Sequence, residues 1–132
     1  MSDDVHLPSN RVDDHVADAL AMTIVEARPG RAVVTMTVRD DMVNALGVCH
    51  GGMIFTLADT AMAYASNAAG PVALAASASI EFLRPAMLGT TLTATCVAVA
   101  TSSRSVVHDT IVTADDDVAV AVFRGRTVTA TR

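Results

Sequence analysis

The chain has 132 residues, of which 52 % are hydrophobic and only 17 % are charged, so it suits one folded domain and is too apolar to be disordered. Aromatic residues make up 3 % and the net charge is −5. This argues against a nucleic-acid partner, which requires a basic surface and, for single strands, aromatic stacking platforms. A domain this small cannot bury so much apolar surface alone, so we expect subunits to associate.

The sequence carries no signal for secretion, membrane insertion or metal binding. Cys49 and Cys96 form no CxxC pair, and the histidines have no metal-ligand spacing. The N-terminus is acidic and polar, and no uncharged apolar run reaches the roughly 18 residues of a membrane span. We therefore expect a cytoplasmic protein with reduced thiols and no metal. Residues 1–132 are predicted to form one domain, with a loose tail over residues 1–12.

The first third of the chain predicts a short helix followed by a strand hairpin. Residues 13–20 favour a helix that begins at Asp13 or Asp14. Residues 22–26 and 31–38 are rich in β-branched side chains and favour strands. The segment 27–30, which contains Pro and Gly, predicts the turn between them, and residues 40–48 predict a loop.

One long helix is predicted from about residue 50 to residue 67. Apolar side chains recur there at helical spacing, and Gly70-Pro71 ends the pattern. The helix is apolar nearly all round, so we expect it to be buried, with Asp59 as a single carboxylate in its middle.

The remainder predicts a run of antiparallel strands, over residues 74–83, 90–100, 105–114 and 118–129. Short turns join them, which implies antiparallel pairing. One helix cannot cover both faces of a parallel sheet, but it can lie in the concave face of a curved antiparallel sheet. The predicted class is therefore α+β.

The helix start offers a site for a developing negative charge. Gly51 and Gly52 lie where backbone N–H groups are free and the helix dipole adds positive charge. Glycine allows a ligand to approach closely, which suits a carbonyl oxygen during acyl transfer. Taken alone, His-Gly-Gly equally fits a plain glycine-rich turn into a helix.

Asp59 is the second candidate. A carboxylate in an apolar helix loses solvation, which raises its pKa and suits a general base. An Asp59 that emerges at an edge or caps a neighbouring loop would have no such role. Asp59 lies eight residues after Gly51, about 12 Å along a helix. If both groups are catalytic, they act together only across a two-fold dimer with antiparallel helices.

Other nucleophiles have less support. No G-x-S-x-G motif is present. Cys49 adjoins His50, but neighbours in sequence do not make a nucleophile and base pair, so we expect a packed thiol.

The combined motifs resemble those of the PaaI-type thioesterases, hotdog-fold proteins linked to phenylacetate degradation. The resemblance covers roughly residues 20–130 and outweighs the plain-turn interpretation of the helix start. Its residues are Asn44, His50-Gly51-Gly52, Phe55, Leu57-Ala58-Asp59, Ala63-Tyr64-Ala65, Asn67, residues 77–85 from Ser77 to Pro85, and Phe123-Arg124-Gly125.

The resemblance implies an antiparallel sheet wrapped around one long central helix, and hydrolysis of an acyl-CoA such as an aryl-acetyl or hydroxyphenylacetyl thioester. No separate cofactor is needed. Family members form homodimers with sites at the subunit interface, and these pair into homotetramers. Neither a nucleic acid nor a membrane is an expected partner.

The resemblance also implies roles for individual residues. Asp59 corresponds to the general base or nucleophile, and the Gly52 amide to the group that polarises the carbonyl. Asn44 and His50 correspond to residues that position the carbonyl or the water. Ser77 corresponds to a hydroxyl near the carboxylate, although Ser79 is an alternative. The expected substrate contacts are Gly51, Met53, Met62, Tyr64, Arg84, Ser103 and Arg104, the last three for the CoA phosphates; core packing remains open for the two methionines and the tyrosine.

Two other functions remain open. A hotdog dehydratase or hydratase would pair a histidine with a carboxylate, but here His50 precedes the helix and no further histidine falls in the expected site. A non-catalytic acyl-CoA binding module would need the pocket and the arginines but not Asp59.

Overall fold

The computed structural model describes Val5 and residues 13–130. The prediction of a loose tail over residues 1–12 lies outside the described residues, except at Val5. That residue forms an isolated parallel bridge with Ala27.

In the described residues, two helices and six strands follow the predicted order. They are α1 (His15–Ala19), β1 (Thr23–Arg28), β2 (Arg31–Thr37), α2 (Gly51–Asn67), β3 (Ala73–Phe82), β4 (Thr91–Ser102), β5 (Ser105–Thr113) and β6 (Ala119–Thr129). A 3-10 turn, Asp40–Met42, lies within the predicted loop. The main differences are longer strands: β1 continues to Arg28, which leaves Pro29 and Gly30 for the turn, and β4 continues to Ser102. Gly30 has a φ of +80°, which suits glycine.

The six strands form one antiparallel sheet in the order β1-β2-β4-β5-β6-β3. Local hairpins explain most of this order. The exception is β3, because α2 carries the chain across the concave face to the far edge, where β3 pairs with β6. The core lies between α2 and the face that it covers, which we call the inner face. The predicted α+β hotdog fold is confirmed.

Helix α2 is buried on one side only. Ile54, Leu57, Ala58, Ala61 and Ala65 recur every three or four residues and pack into the core. The opposite stripe is polar or small and stays at least partly exposed within the chain; it consists of Gly52, Thr56, Asp59, Thr60 and Ala63. The expectation that the helix is buried all round is therefore wrong for this chain alone, because the sheet curves around only one side of it.

Strand β3 presents a long free edge. It hydrogen-bonds to β6 on one side, and eight of its ten residues are exposed. Its sequence, ALAASASIEF, contains one charged side chain, Glu81. An exposed, nearly uncharged edge of this length is a template for pairing with another chain.

A small polar cluster is buried beneath the end of α2. His108 is 1 % exposed, and its Nε2 lies 3.4 Å from the Ser66 hydroxyl, which also donates to Thr127. Burial lowers the pKa of His108 below its ordinary value of 6.5, because the interior disfavours the charged imidazole. The nearby thiol of Cys96 has its pKa raised to about 11, chiefly by burial. These groups are neutral core residues.

Gly125 allows α2 to approach β6. A Cβ added at Gly125 would collide with Met62 Sδ, and it would lie 2.8 Å from Met62 Cε and 2.9 Å from Phe123 Cε1. Met62 and Phe123 are almost fully buried, so neither side chain has free space to move into.

We therefore expect Gly125→Ala to destabilise the fold by about 1–3 kcal/mol, the usual cost of overpacking a core. Chemical denaturation of the variant and the parent measures the difference. Combining Gly125→Ala with Met62→Ala removes the colliding thioether, so the two changes should cost less together than the sum of their separate costs. Simple additivity would contradict this explanation.

Candidate active site

The helix start uses one of its two glycine amides internally. His50 is the N-cap residue, with φ −60° and ψ 134°. Its Nδ1 accepts a hydrogen bond of 2.8 Å from the Gly52 N–H, and its carbonyl accepts from the Met53 N–H at 2.9 Å. The Gly52 amide is therefore engaged by the chain's own imidazole.

The Gly51 N–H is the free donor at this position. It is the first residue of α2, so it has no acceptor within the helix, and it makes no hydrogen bond with any described residue. The expected role of Gly52 as the polarising amide thus needs correction: in this geometry the available N–H belongs to Gly51. The rule that an N-cap side chain accepts from the second or third helical N–H could have shown this from His50.

Asn44 organises the loop beside the helix start. Its Oδ1 accepts hydrogen bonds from Leu46 N–H at 2.9 Å and Val48 N–H at 3.4 Å. Its backbone N–H bonds to the Val48 carbonyl, and Val43 pairs with Cys49 just before His50. With its oxygen fixed in this way, the Asn44 side-chain NH₂ makes no hydrogen bond within the described part of the chain and can donate to a carbonyl.

Asp59 lies on the stripe of α2 that faces away from the sheet. The carboxylate is partly buried, and it makes no hydrogen bond or ion pair with any described residue. Desolvation raises its pKa above the ordinary value of 3.8, because partial burial disfavours the charged form. An unpaired carboxylate of raised pKa can accept a proton from water.

The two candidate serines lie on the wrong face of β3. Ser77 stands opposite Arg126 and Ser79 opposite Arg124. Arg124 binds Asp109 on the face of the sheet away from α2, and directly opposed residues share a face. Within one chain, neither serine hydroxyl can therefore reach Asp59, and the role expected of Ser77, with Ser79 as its alternative, stays a prediction.

The proposed pocket residues on α2 separate into two kinds. Met62 and Tyr64 are buried in the core, with Met62 packed against Gly125. Within one chain, core packing accounts for both side chains, and their place in a substrate pocket stays a prediction. Met53 is partly buried at the edge of the core, within the first turn of the helix.

Two of the candidate phosphate contacts lie far apart. Arg84 donates from Nη1 to the Ala119 carbonyl, whereas the carbonyl of Arg104 accepts from Thr129 N–H. These positions are the two ends of β6, about 33 Å apart at about 3.3 Å per residue. Arg84 and the exposed Ser103–Arg104 turn of one chain therefore cannot hold the same CoA molecule.

Arg84 and Arg104 nevertheless carry no carboxylate partner among the described residues. This distinguishes them from other arginines, such as Arg39 and Arg124, which form two-point contacts with aspartates. An arginine without a carboxylate partner can bind a phosphate.

Other chemistry finds little support. Cys49 is buried, and burial raises the pKa of its thiol; the expectation of a packed thiol is confirmed. No group of three His, Cys, Asp or Glu side chains suited to a metal occurs in the described residues. Nor is any helix of that part of the chain long and apolar enough to cross a membrane.

A ring that the sequence did not single out stands at the helix start. An ideal Cβ on Gly51 would lie 3.0 Å from Phe82 Cζ, so the ring packs directly against this glycine. Phe82 lies at the end of β3, on the inner face. The site therefore combines a free N–H, a free side-chain amide and an aromatic ring, with a carboxylate farther along the same helix.

Comparison with known proteins identifies the family of this chain. The Thioesterase superfamily model matches residues 46–121. The Acyl-coenzyme A thioesterase PaaI of Escherichia coli (strain K12) is 44 % identical over 114 residues, which cover 86 % of this chain and 81 % of the relative. The structure of the E. coli PaaI protein from the phenylacetic acid degradation operon superposes with a TM-score of 0.87 at 42 % identity, over 90 % of this chain and 86 % of that one.

Two further structures extend the comparison. A mutant of the phenylacetic acid degradation protein PaaI from Thermus thermophilus has a TM-score of 0.84 at 35 % identity, over 89 % of this chain and 100 % of that one. The Streptococcus mutans UA159 protein smu.793, bound to acetyl CoA, has a TM-score of 0.82 at 29 % identity, over 96 % of this chain and 98 % of that one. With the family match over more than half of its residues, this chain belongs to the thioesterase superfamily.

Proposed function

We propose that this protein hydrolyses an acyl-CoA thioester to the free acid and CoA. The observation that carries the proposal is the partly buried, unpaired Asp59 on the helix whose first N–H, that of Gly51, is free. The relative from E. coli is named an acyl-coenzyme A thioesterase, and a structural relative binds acetyl CoA. Both names support the same substrate class for this chain.

The proposed site is assembled from two subunits. Gly51 and Asp59 are about 12 Å apart along one helix, too far for a carbonyl bound at Gly51 to meet its own Asp59. A two-fold axis that passes α2 near Phe55 places the Gly51 N–H of one chain opposite Asp59 of the partner subunit. The exposed stripe of α2 and the free edge of β3 supply the surfaces for such a homodimer.

The same two-fold symmetry would bring Arg84 of one chain close to Arg104 of the partner subunit. If the β3 edges pair antiparallel, the Phe82 end of one strand meets the Ala73 end of the other. Arg84 of one chain and Arg104 of the partner subunit then stand at the same end of the joined sheet, which is also the Gly51 end of one helix. This supports a CoA phosphate site shared between chains.

The proposed reaction needs only water as a co-substrate and no separate cofactor. Gly51 N–H and the Asn44 NH₂ hold the thioester oxygen, and the partner's Asp59 takes a proton from water as the oxygen of that water attacks the carbonyl carbon. The C–S bond breaks, and the protonated Asp59 returns the proton to the CoA thiolate. If Asp59 is instead a nucleophile, it displaces the CoA thiolate and forms a mixed anhydride with the acyl group. Water that attacks the Asp59 carboxyl carbon of this anhydride then puts ¹⁸O into Asp59 during a single turnover in H₂¹⁸O, which direct attack of water on the thioester never does.

Aryl-acetyl or hydroxyphenylacetyl groups are the proposed acyl class, supported by the two relatives whose names refer to phenylacetic acid degradation. A homotetramer of two such dimers is the proposed assembly. Light scattering of the purified protein measures it, and a stable monomer that is fully active would contradict the two-subunit site.

A thiol-release assay tests the proposed function. We expect incubation with phenylacetyl-CoA, hydroxyphenylacetyl-CoA and aliphatic acyl-CoAs to yield free CoA and acid in equal amounts, because hydrolysis releases one of each. A dehydratase or hydratase would change the acyl group without releasing thiol. Tight acyl-CoA binding without turnover, unchanged in Asp59→Asn, would instead identify a binding module.

A further inference from the structure

We propose that Phe82 is a specificity-determining residue, whose ring forms one wall of the acyl site and favours flat aromatic acyl groups over flexible aliphatic ones. This inference rests on the proposed function. Phe82 is not part of the proposed reaction machinery, since the ring can neither transfer a proton nor polarise a carbonyl.

The Phe82 ring packs directly against Gly51. Three atoms of the Phe82 ring lie 3.0, 3.3 and 3.5 Å from the point where a Cβ on Gly51 would stand. The ring therefore occupies the space that a side chain at Gly51 would fill. A thioester carbonyl bound to the Gly51 N–H would therefore lie beside this ring.

The other two phenylalanines, Phe55 and Phe123, lie on the same side of the helix. Phe55 lies four residues after Gly51, on the same side of α2. Its ring meets that of Phe123 edge to face, with centroids 5.3 Å apart and an interplanar angle of 70°. On the inner face, Ile80 stands opposite Phe123, and Phe82 is the next residue of β3 on that face.

All three phenylalanines of an aromatic-poor chain thus gather on one side of the helix start. Their exposure follows an order: Phe123 is fully buried, Phe55 is partly buried and Phe82 is 51 % exposed. Phe82 is the most exposed of the three, so its ring is the one most open to a ligand.

An exposed phenyl ring favours an aromatic partner over an aliphatic one. Aromatic pairs prefer offset or edge-to-face contacts, which add to the gain from burial alone. A phenyl acyl group can make such a contact with Phe82, whereas an aliphatic chain of similar size gains only apolar contact and loses more rotational freedom. The ring should therefore affect the ratio of kcat/KM values between the two substrates more than either value taken alone.

The test compares phenylacetyl-CoA with hexanoyl-CoA in Phe82→Leu, Phe82→Met and Phe82→Tyr, with Leu83→Ala as the control. Leu83 is adjacent and similarly exposed, at 53 %, but the register gives it no place against Gly51. We expect the aryl-to-aliphatic ratio of kcat/KM to fall about 5- to 10-fold in the Leu and Met variants, the size of one aromatic pair. Tyr should restore the ratio, and the control should leave it unchanged.

The outcomes separate this inference from the proposed function. An unchanged ratio in folded Phe82→Leu or Phe82→Met, or a parent protein without aryl preference, overturns the role of Phe82 while hydrolysis stands. Absence of thiol release from every acyl-CoA by the parent protein overturns the proposed function itself. Circular dichroism confirms that each variant is folded.

Discussion

Asp59→Asn is expected to fold normally and to lose at least about 10²-fold in kcat, the lower end of the range for removing a general base. The carboxylate is partly buried and makes no hydrogen bond or ion pair with any described residue, so its charge costs free energy in the folded state. An amide of the same shape avoids this cost. The variant should therefore be at least as stable as the parent while losing turnover, the pattern of a residue kept for function.

Thiol-release kinetics and thermal unfolding measure the two effects together. The matched control is Asp109→Asn, which makes the same chemical change on the face of the sheet away from α2. Asp109 is paired with Arg124, so its replacement should leave kcat within about twofold, as expected for a surface residue remote from the site. Near-normal turnover by Asp59→Asn on its best substrate would contradict a catalytic role for Asp59.

The raised pKa of Asp59 gives this prediction a pH dependence. The general base must be ionised, so kcat/KM falls as the pH drops through the folded-state pKa, which desolvation places above 3.8. Stability changes in the opposite direction: the unfolded chain ionises more readily, so stability declines as the pH rises from about 3.8 to the raised value. Asp59→Asn should abolish that decline. An acid limb at or below the ordinary value would mean that the carboxylate is solvated in the working enzyme.

Periodicity predicted the elements well because each has one clear face. The inner residues of the strands and the buried residues of α2 alternate at the periods of strand and helix, so a sheet around one helix follows from the pattern. What periodicity missed is the polar stripe of α2. Thr56 and Thr60 satisfy their hydroxyls on carbonyls four residues earlier, and the small side chains around them gave no strong polar signal.

Details of the site depended on geometry that sequence spacing does not carry. Gly51 and Gly52 are equivalent in a motif, and only the imidazole of His50 distinguishes them by engaging the second. Ser77 follows a bulge between Ala75 and Ser77, and an irregularity of one residue reverses the face to which later side chains point. Arg84 and Arg104 look equally suited to bind the CoA phosphates in the sequence, but they lie at opposite ends of β6.

The free N–H of Gly51 can be removed without breaking a hydrogen bond of the helix. Gly51 is the first residue of α2, where proline is tolerated because the N–H is unused in the helix. The backbone of His50, with φ −60° and ψ 134°, is also compatible with a following proline. We expect Gly51→Pro to fold and to lose about 10²-fold or more in kcat, the scale for one oxyanion donor. Gly51→Ala is the control: it also places a Cβ near Phe82 but keeps the N–H.

Mixing two inactive variants then decides whether the site spans two chains. In a heterodimer of Asp59→Asn with Gly51→Pro, one site carries both defects and the other carries neither, provided that Gly51 and Asp59 of each site come from different subunits. Random exchange makes half of the dimers mixed, so refolding an equal mixture should recover about a quarter of the parent activity. If each chain held a complete site, every chain in the mixture would be defective and nothing would be recovered. Recovery would thus explain why the two halves of the motif sit on one helix at a distance that prevents them from acting together within one chain.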